Sequence, residues 1–456
     1  GANTLSTGYN VANSLRFNDD SSDSLSKSFG TPSSTTTWTI SFWVKKCTNG
    51  SALNLSSQGV GTSNEDRIRF TSGDALEWSV YKSSYKGRLV TNRLFRDNSA
   101  WYNIVCVWDT TNGTAGDRMR IYVNGVEETS FSTDTNPDQN ETSNFNTSAT
   151  NYIGSVGSGE FFDGYMTEVV FLDGTAVSNA TSFGEFDEDS PTIWKPIDVS
   201  GLTFGNNGFY LDFEDSGSLG NDKAGSNNFT VNNLTAADQS TDTCTNNFAT
   251  LNPLNRRLTS NDPTYSEGNL KLTGQTGNAQ NNNAIATIGD LQSGKWYFEV
   301  KCTTDGDNFG VGISDNPVGT NGNAASDTYY VTYNKSGEIV YGTGSSATTA
   351  SYGNSYTDGD IIGVAFDLDN GALYFYKNGS IQNSGTAART DLLTQMADGY
   401  TPIGFTNKGV MEFNFGGTQS FTISSGNADG RNRGNFEYSV PSGYFSVNTK
   451  NLAEFG

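Results

Sequence analysis

Residues 372 to 382 read ALYFYKNGSIQ, and residues 118 to 128 have already read RMRIYVNGVEE. Each run alternates its side chains up to an Asn-Gly pair, the dipeptide that supplies two consecutive positive φ angles and so closes a two-residue hairpin. Leu373 and Phe375 fall on one face of the later run and Tyr374 and Tyr376 on the other. The same period of two governs WTISFWVKK, where Ile40, Phe42 and Val44 oppose Thr39, Ser41 and Lys45, and it continues through RIRFTSGDALEWSVYK, GRLVTNRLF, WYNIVCVWD, TNYIG and YMTEVVFLDG. A second series begins with SGKWYFEVKC, which sets Trp296, Phe298 and Val300 on one face, and runs on through FGVGIS, TYYVTYN, DIIGVAFDLD, TPIGFT and VMEFNFG. Alternation bounded by Gly, Asn, Asp and Ser describes half-buried strands. The chain is therefore expected to be all-β, built as two antiparallel β-sandwiches joined by a polar linker.

With 456 residues there is chain enough for each sandwich to bury its own core. Aromatic residues make up 12% of the sequence, which supplies the core that a disordered polar chain lacks. Lys plus Arg number 27 against 49 Asp plus Glu, and a net charge of -22 repels phosphate backbones and anionic lipid. Nucleic acid is not an expected partner. Apolar runs such as IIGVAF are far too short to span a bilayer, and GANTLSTGYN lacks the basic and apolar pattern of an export signal. No membrane insertion and no exported leader are expected. The sequence contains no histidine, which removes Ser-His-Asp and Cys-His nucleophile pairs and His-based metal sites. Cys47, Cys106, Cys244 and Cys302 stand singly with no C-x-x-C pair, so neither a zinc site nor a disulfide framework is expected. Cys106 and Cys302 sit in alternating apolar runs and read as small core residues.

Between the two series, residues 171 to 252 are less regular. The run around Tyr210 reads as a returning strand that completes the first sandwich, and the run around Phe229 as the start of the connection. TAADQSTDTCTNN offers almost nothing apolar and reads as linker. The expected organisation is a first sandwich over 1–237, a linker over 238–264 and a second sandwich with a C-terminal tail over 265–456.

SLRFNDD, TISFWVKK, WYNIVCVWDTT, RIYVNGVEE, YIGSVGSGEFFDGYMTEVVFLDG and GFYLDFEDSGSLGND occur in the order found in the laminin G-like, concanavalin A-like jelly roll family, which the chain resembles over about residues 10 to 235. The SLRFNDD opening and the LDFEDSGSLGND close are similar to versions in virion proteins of tailed bacteriophages. GKWYFEVKC, FGVGISD, GDIIGVAFDLDNGALYFYKNG and PIGFTNKGVMEFNFG resemble, in order, a SPRY (B30.2-like) domain over about residues 265 to 420, and YSVPSGYFSVNTKNL is similar to the tail of phage versions. The first resemblance implies binding of glycans or protein surfaces, often with calcium; the second implies binding of protein segments through loops at one end of the sandwich. Neither implies catalysis.

Carboxylates two apart on a strand share a face, the arrangement glycoside hydrolases use. Glu185, Asp187 and Asp189 have that spacing, as do Asp212 and Glu214, but Ser190 occupies the last position of an E-x-D-x-x-E pattern. Both clusters read as solvated acidic turns, and no catalytic or cofactor-binding residue is assigned. Asp19, Asp20 and Asp23, and Asp109 with Asp117, offer oxygen ligands for calcium without the spacing of a known loop, so the metal ligands stay unassigned. Trp78, Tyr81, Tyr85, Tyr352 and Tyr356 are the aromatic candidates for a glycan platform, whereas Asn-x-Ser/Thr matches such as Asn140 and Asn228 arise by composition. No coiled-coil heptads specify an oligomer, so assembly would use sandwich faces or strand edges. The resulting expectation is a non-enzymatic structural and adhesive protein on a tailed phage virion, as tail fibre, spike or capsid decoration. It would assemble in the host cytoplasm as a homo-oligomer and contact other virion proteins and host glycan. The alternatives are a bacterial cell-surface adhesin or filament subunit and, more remotely, a polysaccharide-degrading enzyme using Glu185 or Glu214.

Overall fold

A computed structural model of the protein describes residues 8–59, 63–255, 263–275, 282–315, 328–343 and 346–456. These fall into two compact units that divide between Thr245 and Asn246. Each is a pair of sheets closed over one apolar core, and the pairing is antiparallel apart from Phe445–Ser446, which runs parallel to Lys295–Thr304. Both Asn-Gly hairpins form as the sequence predicts, with φ of 48° and 78° at Asn124 and Gly125 and 48° and 75° at Asn378 and Gly379.

In the first unit, one sheet is ordered Val126–Glu127, Met119–Val123, Tyr102–Asp109, Thr37–Lys46, Gly164–Asp173, Ser14–Phe17 and Gln239–Ser240, with Phe209–Leu211 also pairing Gly164–Asp173. The facing sheet is ordered Phe131–Thr135, Tyr85–Leu94, Ala75–Lys82, Asn64–Phe70, Leu53–Gly59, Thr150–Ile153, Ser24–Ser28 and Thr230–Asn232. The inward residues of both meet in a core centred on Trp38, Trp78 and Trp108, with Trp38 stacked on Trp108 at 6.1 Å. The first sheet is buried on its other face as well. Val177, Ala180, Phe183, Trp194 and Val199, from the irregular segment after residue 173, pack on Trp43, Val107, Tyr122 and Val170. This explains why every residue of Gly164–Asp173 is buried although its sequence alternates. The facing sheet keeps its outer side open: Asn64–Phe70 and Tyr85–Leu94 alternate buried with half-buried or exposed positions along most of their length.

Within the span 238–264, read as linker from its polarity, the residues up to Asp242 are built into the first unit. Gln239–Ser240 pairs with Ser14–Phe17, Asp238 meets Arg16 at 2.8 Å, and Asp242 meets the fully buried Lys45 at 2.7 Å. Polar residues are interior here because two cations on core strands require partners there. Beyond Asn246, Phe248, Ala249 and Leu251 are buried in the second unit, and residues 256–262 lie outside the described set.

The second unit sets the sheet containing Lys295–Thr304, Ile361–Asp367, Ala372–Lys377 and Val410–Asn414 against one containing Asn308–Asp315, Tyr329–Asn334 and Tyr400–Asn407. Trp296, Phe298 and Val300 enter the core between them. Tyr297 and Glu299, on the opposite phase, are covered instead by the tail: Phe436 packs on Tyr297, and the backbone N–H groups of Glu437 and Tyr438 donate to the Glu299 carboxylate at 2.9 Å.

Candidate functional site

On the open face of the first unit, three adjacent strands bring charges of both signs together. Along Asn64–Phe70, Ile68 and Phe70 point into the core, so Glu65, Arg67 and Arg69 point out. The register then sets Arg69 opposite Glu77, Arg67 opposite Ser79 and Glu65 opposite Tyr81; on the next strand Arg88 lies opposite Ser79, and Tyr85 opposite Tyr81. Cross-strand pairs of opposite charge stabilise such a face.

The side chains form a continuous ladder. Arg67 donates to Glu65 at 2.7 Å and to Glu160 at 3.0 Å; Arg69 donates to both Glu160 oxygens at 2.7 and 2.9 Å and to Glu77 at 2.8 Å; Arg88 closes on the other Glu77 oxygen at 2.7 Å. Burial works against the charge of Arg67 and of Arg69, but the surrounding carboxylates outweigh it and hold both guanidinium groups above their ordinary value. The Arg88 guanidinium lies 4.7 Å from the centre of the Tyr85 ring, and Tyr81 meets that ring edge-on at 5.1 Å. Glu65, Arg67, Arg69, Glu77, Ser79, Tyr81 and Tyr85 line a groove of about 420 Å³, within the size range of small-ligand sites. Tyr85 is 47% exposed there. The groove thus combines an accessible aromatic ring with fixed donors and acceptors. Each of its carboxylates is engaged by an arginine, an arrangement suited to holding a ligand and not to proton transfer.

Of the five aromatic candidates, the structure brings Tyr81 and Tyr85 together in this groove. Trp78 shares the inward phase with Leu76 and Val80 and is fully buried, while Tyr352 and Tyr356 belong to the second core, packed against Tyr333. Those three are corrected from platform to core. Glu185 and Asp187 lie on a two-stranded hairpin, Gly184–Phe186 with Trp194–Pro196, and share Lys195 at 3.4 and 3.5 Å; the Asp187 carboxylate also accepts the backbone N–H groups of Asp189 and Ser190. Asp212 and Glu214 share Lys223 at 3.1 and 3.3 Å. Neither pair lines the groove. Asp23 is spent on its own turn, accepting from the Asn18 backbone at 3.0 Å and the Ser21 hydroxyl at 2.7 Å, and Asp109 accepts the Thr111 hydroxyl. Among the described residues, Asp19, Asp20, Asp23, Asp109 and Asp117 form no group of three placed to hold a metal ion. No disulfide joins any of the four cysteines, and Cys106 and Cys302 lie in the two cores.

Sequence reasoning missed Arg67, Arg69, Arg88, Glu65, Glu77 and Glu160. A signal was present: in RIRF and LEWSV the outward positions of two successive strands carry Arg and Glu, a face that is charged with both signs.

Comparison with known proteins agrees with the two folds. A family model described as the concanavalin A-like lectin/glucanases superfamily matches residues 10–180, and a SPRY domain model matches residues 295–418. Ran-binding protein 9 of Danio rerio is 33% identical over 124 residues, covering 27% of this chain and 20% of that protein; the Homo sapiens protein is also 33% identical over 124 residues, covering 16% of its length. The chain therefore spans a fifth or less of the length of these relatives. Among solved structures, the SPRY domain of human HERC1 is 19% identical, with 38% of this chain and 99% of that one covered and a TM-score of 0.29. A heptameric SAP-like pentraxin from Limulus polyphemus is 17% identical, with 38% and 80% covered and a TM-score of 0.28. The chain carries a concanavalin A-like domain followed by a SPRY domain.

Proposed function

We propose that the chain is a non-enzymatic structural and adhesive protein displayed on a tailed phage virion, in which the groove of the concanavalin A-like domain holds a surface glycan and the SPRY domain contacts a protein. The carrying observation is the exposed Tyr85 ring beside the fixed Arg67, Arg69, Glu65 and Glu77 side chains in one groove. A pyranose ring offers an apolar face to stack on an aromatic ring and hydroxyls to meet charged groups. Binding without turnover is supported by the pairing of every groove carboxylate with arginine, and by the lysines that bridge Glu185 with Asp187 and Asp212 with Glu214. Display on a virion is supported by the phage-like opening and closing motifs. A homo-oligomer would add avidity to weak single contacts. The test is glycan binding by the purified chain and by Tyr85→Ala. The reading expects the variant to fold normally and to lose about tenfold or more in affinity, the worth of one stacked ring. A Tyr85→Ala chain that binds glycan as tightly as the parent would refute the groove, and particles that attach to cells as well after deletion of residues 8–245 as wild-type particles do would refute the adhesive role.

A further inference from the structure

The charge balance of the groove goes further and, resting on the glycan reading above, specifies the class of glycan. Three cations, Arg67, Arg69 and Arg88, face three anions, Glu65, Glu77 and Glu160, so the ladder is neutral as a unit. Glu77 sits at its centre with a side chain only 1% exposed and accepts from Arg69 and Arg88 on separate oxygens. An anionic sugar that captured Arg69 or Arg88 would leave Glu77 short of a partner in a place that water does not reach, a costly exchange. The net charge of -22 adds long-range repulsion to that local penalty. A cationic ligand meets the mirror problem, since each carboxylate already holds a guanidinium.

We infer that the groove takes an uncharged glycan chain, whose hydroxyls bond the spare guanidinium hydrogens and carboxylate lone pairs without opening the ladder while one sugar ring stacks on Tyr85. A hydroxyl both donates and accepts, so it can join the edge of an existing ion pair where a carboxylate or sulfate would have to replace a member of it. Arg88 commits its Nε to Glu77 and stacks on Tyr85, and a guanidinium has five N–H groups in all, so donors are available beside the aromatic platform. No ion is released when such a ligand binds, so affinity is insensitive to salt.

The experiment measures binding of the purified full chain to neutral oligosaccharides (glucan, galactan and mannan fragments), to uronate oligosaccharides and to sulfated ones. Binding to a neutral set is expected, with affinity changing less than about twofold as NaCl rises from about 0.05 to about 0.5 M. Glu160→Gln, which removes the carboxylate shared by Arg67 and Arg69, is expected to gain uronate binding that weakens with salt. Glu65→Gln takes from Arg67 one of its two carboxylates, leaving Glu160, and repeats the test in a weaker form should the first variant fail to fold, since Glu160 has a φ of 48°. A wild-type preference for uronate or sulfated chains, weakened by salt, overturns this inference and leaves the glycan reading standing. Binding to none of the three sets overturns both.

Discussion

Replacing Glu168 with glutamine is expected to stabilise the first domain at neutral and alkaline pH and to remove the share of its stability loss above about pH 5 that this one carboxyl causes. Glu168 is 4% exposed and has a φ of 49°, at the point where the register of Gly164–Asp173 slips between Thr167 and Val170. The Tyr210 hydroxyl donates to its two oxygens at 2.9 and 2.8 Å and meets the Tyr9 hydroxyl at 3.0 Å. Burial pushes the carboxyl up to about 8 from an ordinary 4.5; the Tyr210 bond opposes this, and Asp212, Glu214 and Asp198 add to it. Because the folded state holds the proton more tightly than the unfolded chain, the stabilisation is complete below 4.5 and is lost progressively as pH rises through about 8. At about 1.4 kcal/mol per pH unit, that interval amounts to about 5 kcal/mol. Glutamine keeps an acceptor for Tyr210 and cannot ionise. Urea unfolding followed by tryptophan fluorescence is the assay, since six of the seven tryptophans lie before Thr245, and Trp296 is the exception. Asp66 and Asp163, both pushed up to about 7 by burial, titrate in the same window, so the informative quantity is the difference between wild type and variant at each pH. That difference should be near zero at about pH 5 and grow by several kcal/mol by about pH 9. A difference constant to within about 1 kcal/mol over that range would refute the assignment of a buried, protonated Glu168.

Removing one partner of the fully buried Lys45–Asp242 pair by Asp242→Ala should cost the first domain about 3–5 kcal/mol in urea unfolding, and Lys45→Met with Asp242→Leu should recover most of it. In the second domain, Gly379→Ala must take a φ of 75° with a Cβ 2.6 Å from the Tyr438 ring, whereas Gly359→Ala takes a φ of 87° with nothing within 4 Å. Thermal denaturation should rank the first as the more damaging, and equal effects would mean that the Tyr438 contact is absent. With Cys47, Cys106 and Cys302 buried and their thiols pushed up by burial, a disulfide reagent should modify only Cys244 in the native chain and all four thiols in urea.

Local sequence carried the strands and both hairpins, because a period of two and an Asn-Gly pair are short-range properties. Trp296, Phe298 and Val300 pointed to their core without further information. Coverage was not legible in the same way. Tyr297 and Glu299 have the outward phase of an exposed strand face, and only the return of Phe436 and Tyr438, well over a hundred residues later, buries them. Asp242 looked like linker because its partner, Lys45, is 197 residues away in sequence. The groove was half legible. Phase alone places Arg67, Arg69 and Glu77 outward, but which arginine meets which glutamate depends on register, and irregularities between Ala75 and Glu77 and between Val80 and Tyr81 shift it. Glu160 reaches the ladder from a different part of the chain altogether.

The contrast between covered and open faces also accounts for where a ligand can be met in the first domain. Trp43, Val107 and Tyr122 make the outer side of one sheet apolar, and Phe183 and Trp194 come over it; the indole of Trp194 donates to the Asn103 side chain at 3.0 Å and so satisfies a polar group that the cover would otherwise strand. Over Arg67, Arg69 and Glu77 an apolar cover would be unfavourable, because desolvating a charged ladder costs more than its internal pairing returns. The charges satisfy one another laterally and the face stays in water. Pairing across three strands also fixes the side chains before any ligand arrives, so little order remains to be imposed on binding. A ligand that adds hydroxyl contacts to this fixed array benefits from it, whereas one that must part Arg69 from Glu77 works against the interaction that built the site. On the proposed reading, selectivity for uncharged glycan would be a property of the ladder, and Tyr85 would supply affinity without choosing between the two classes.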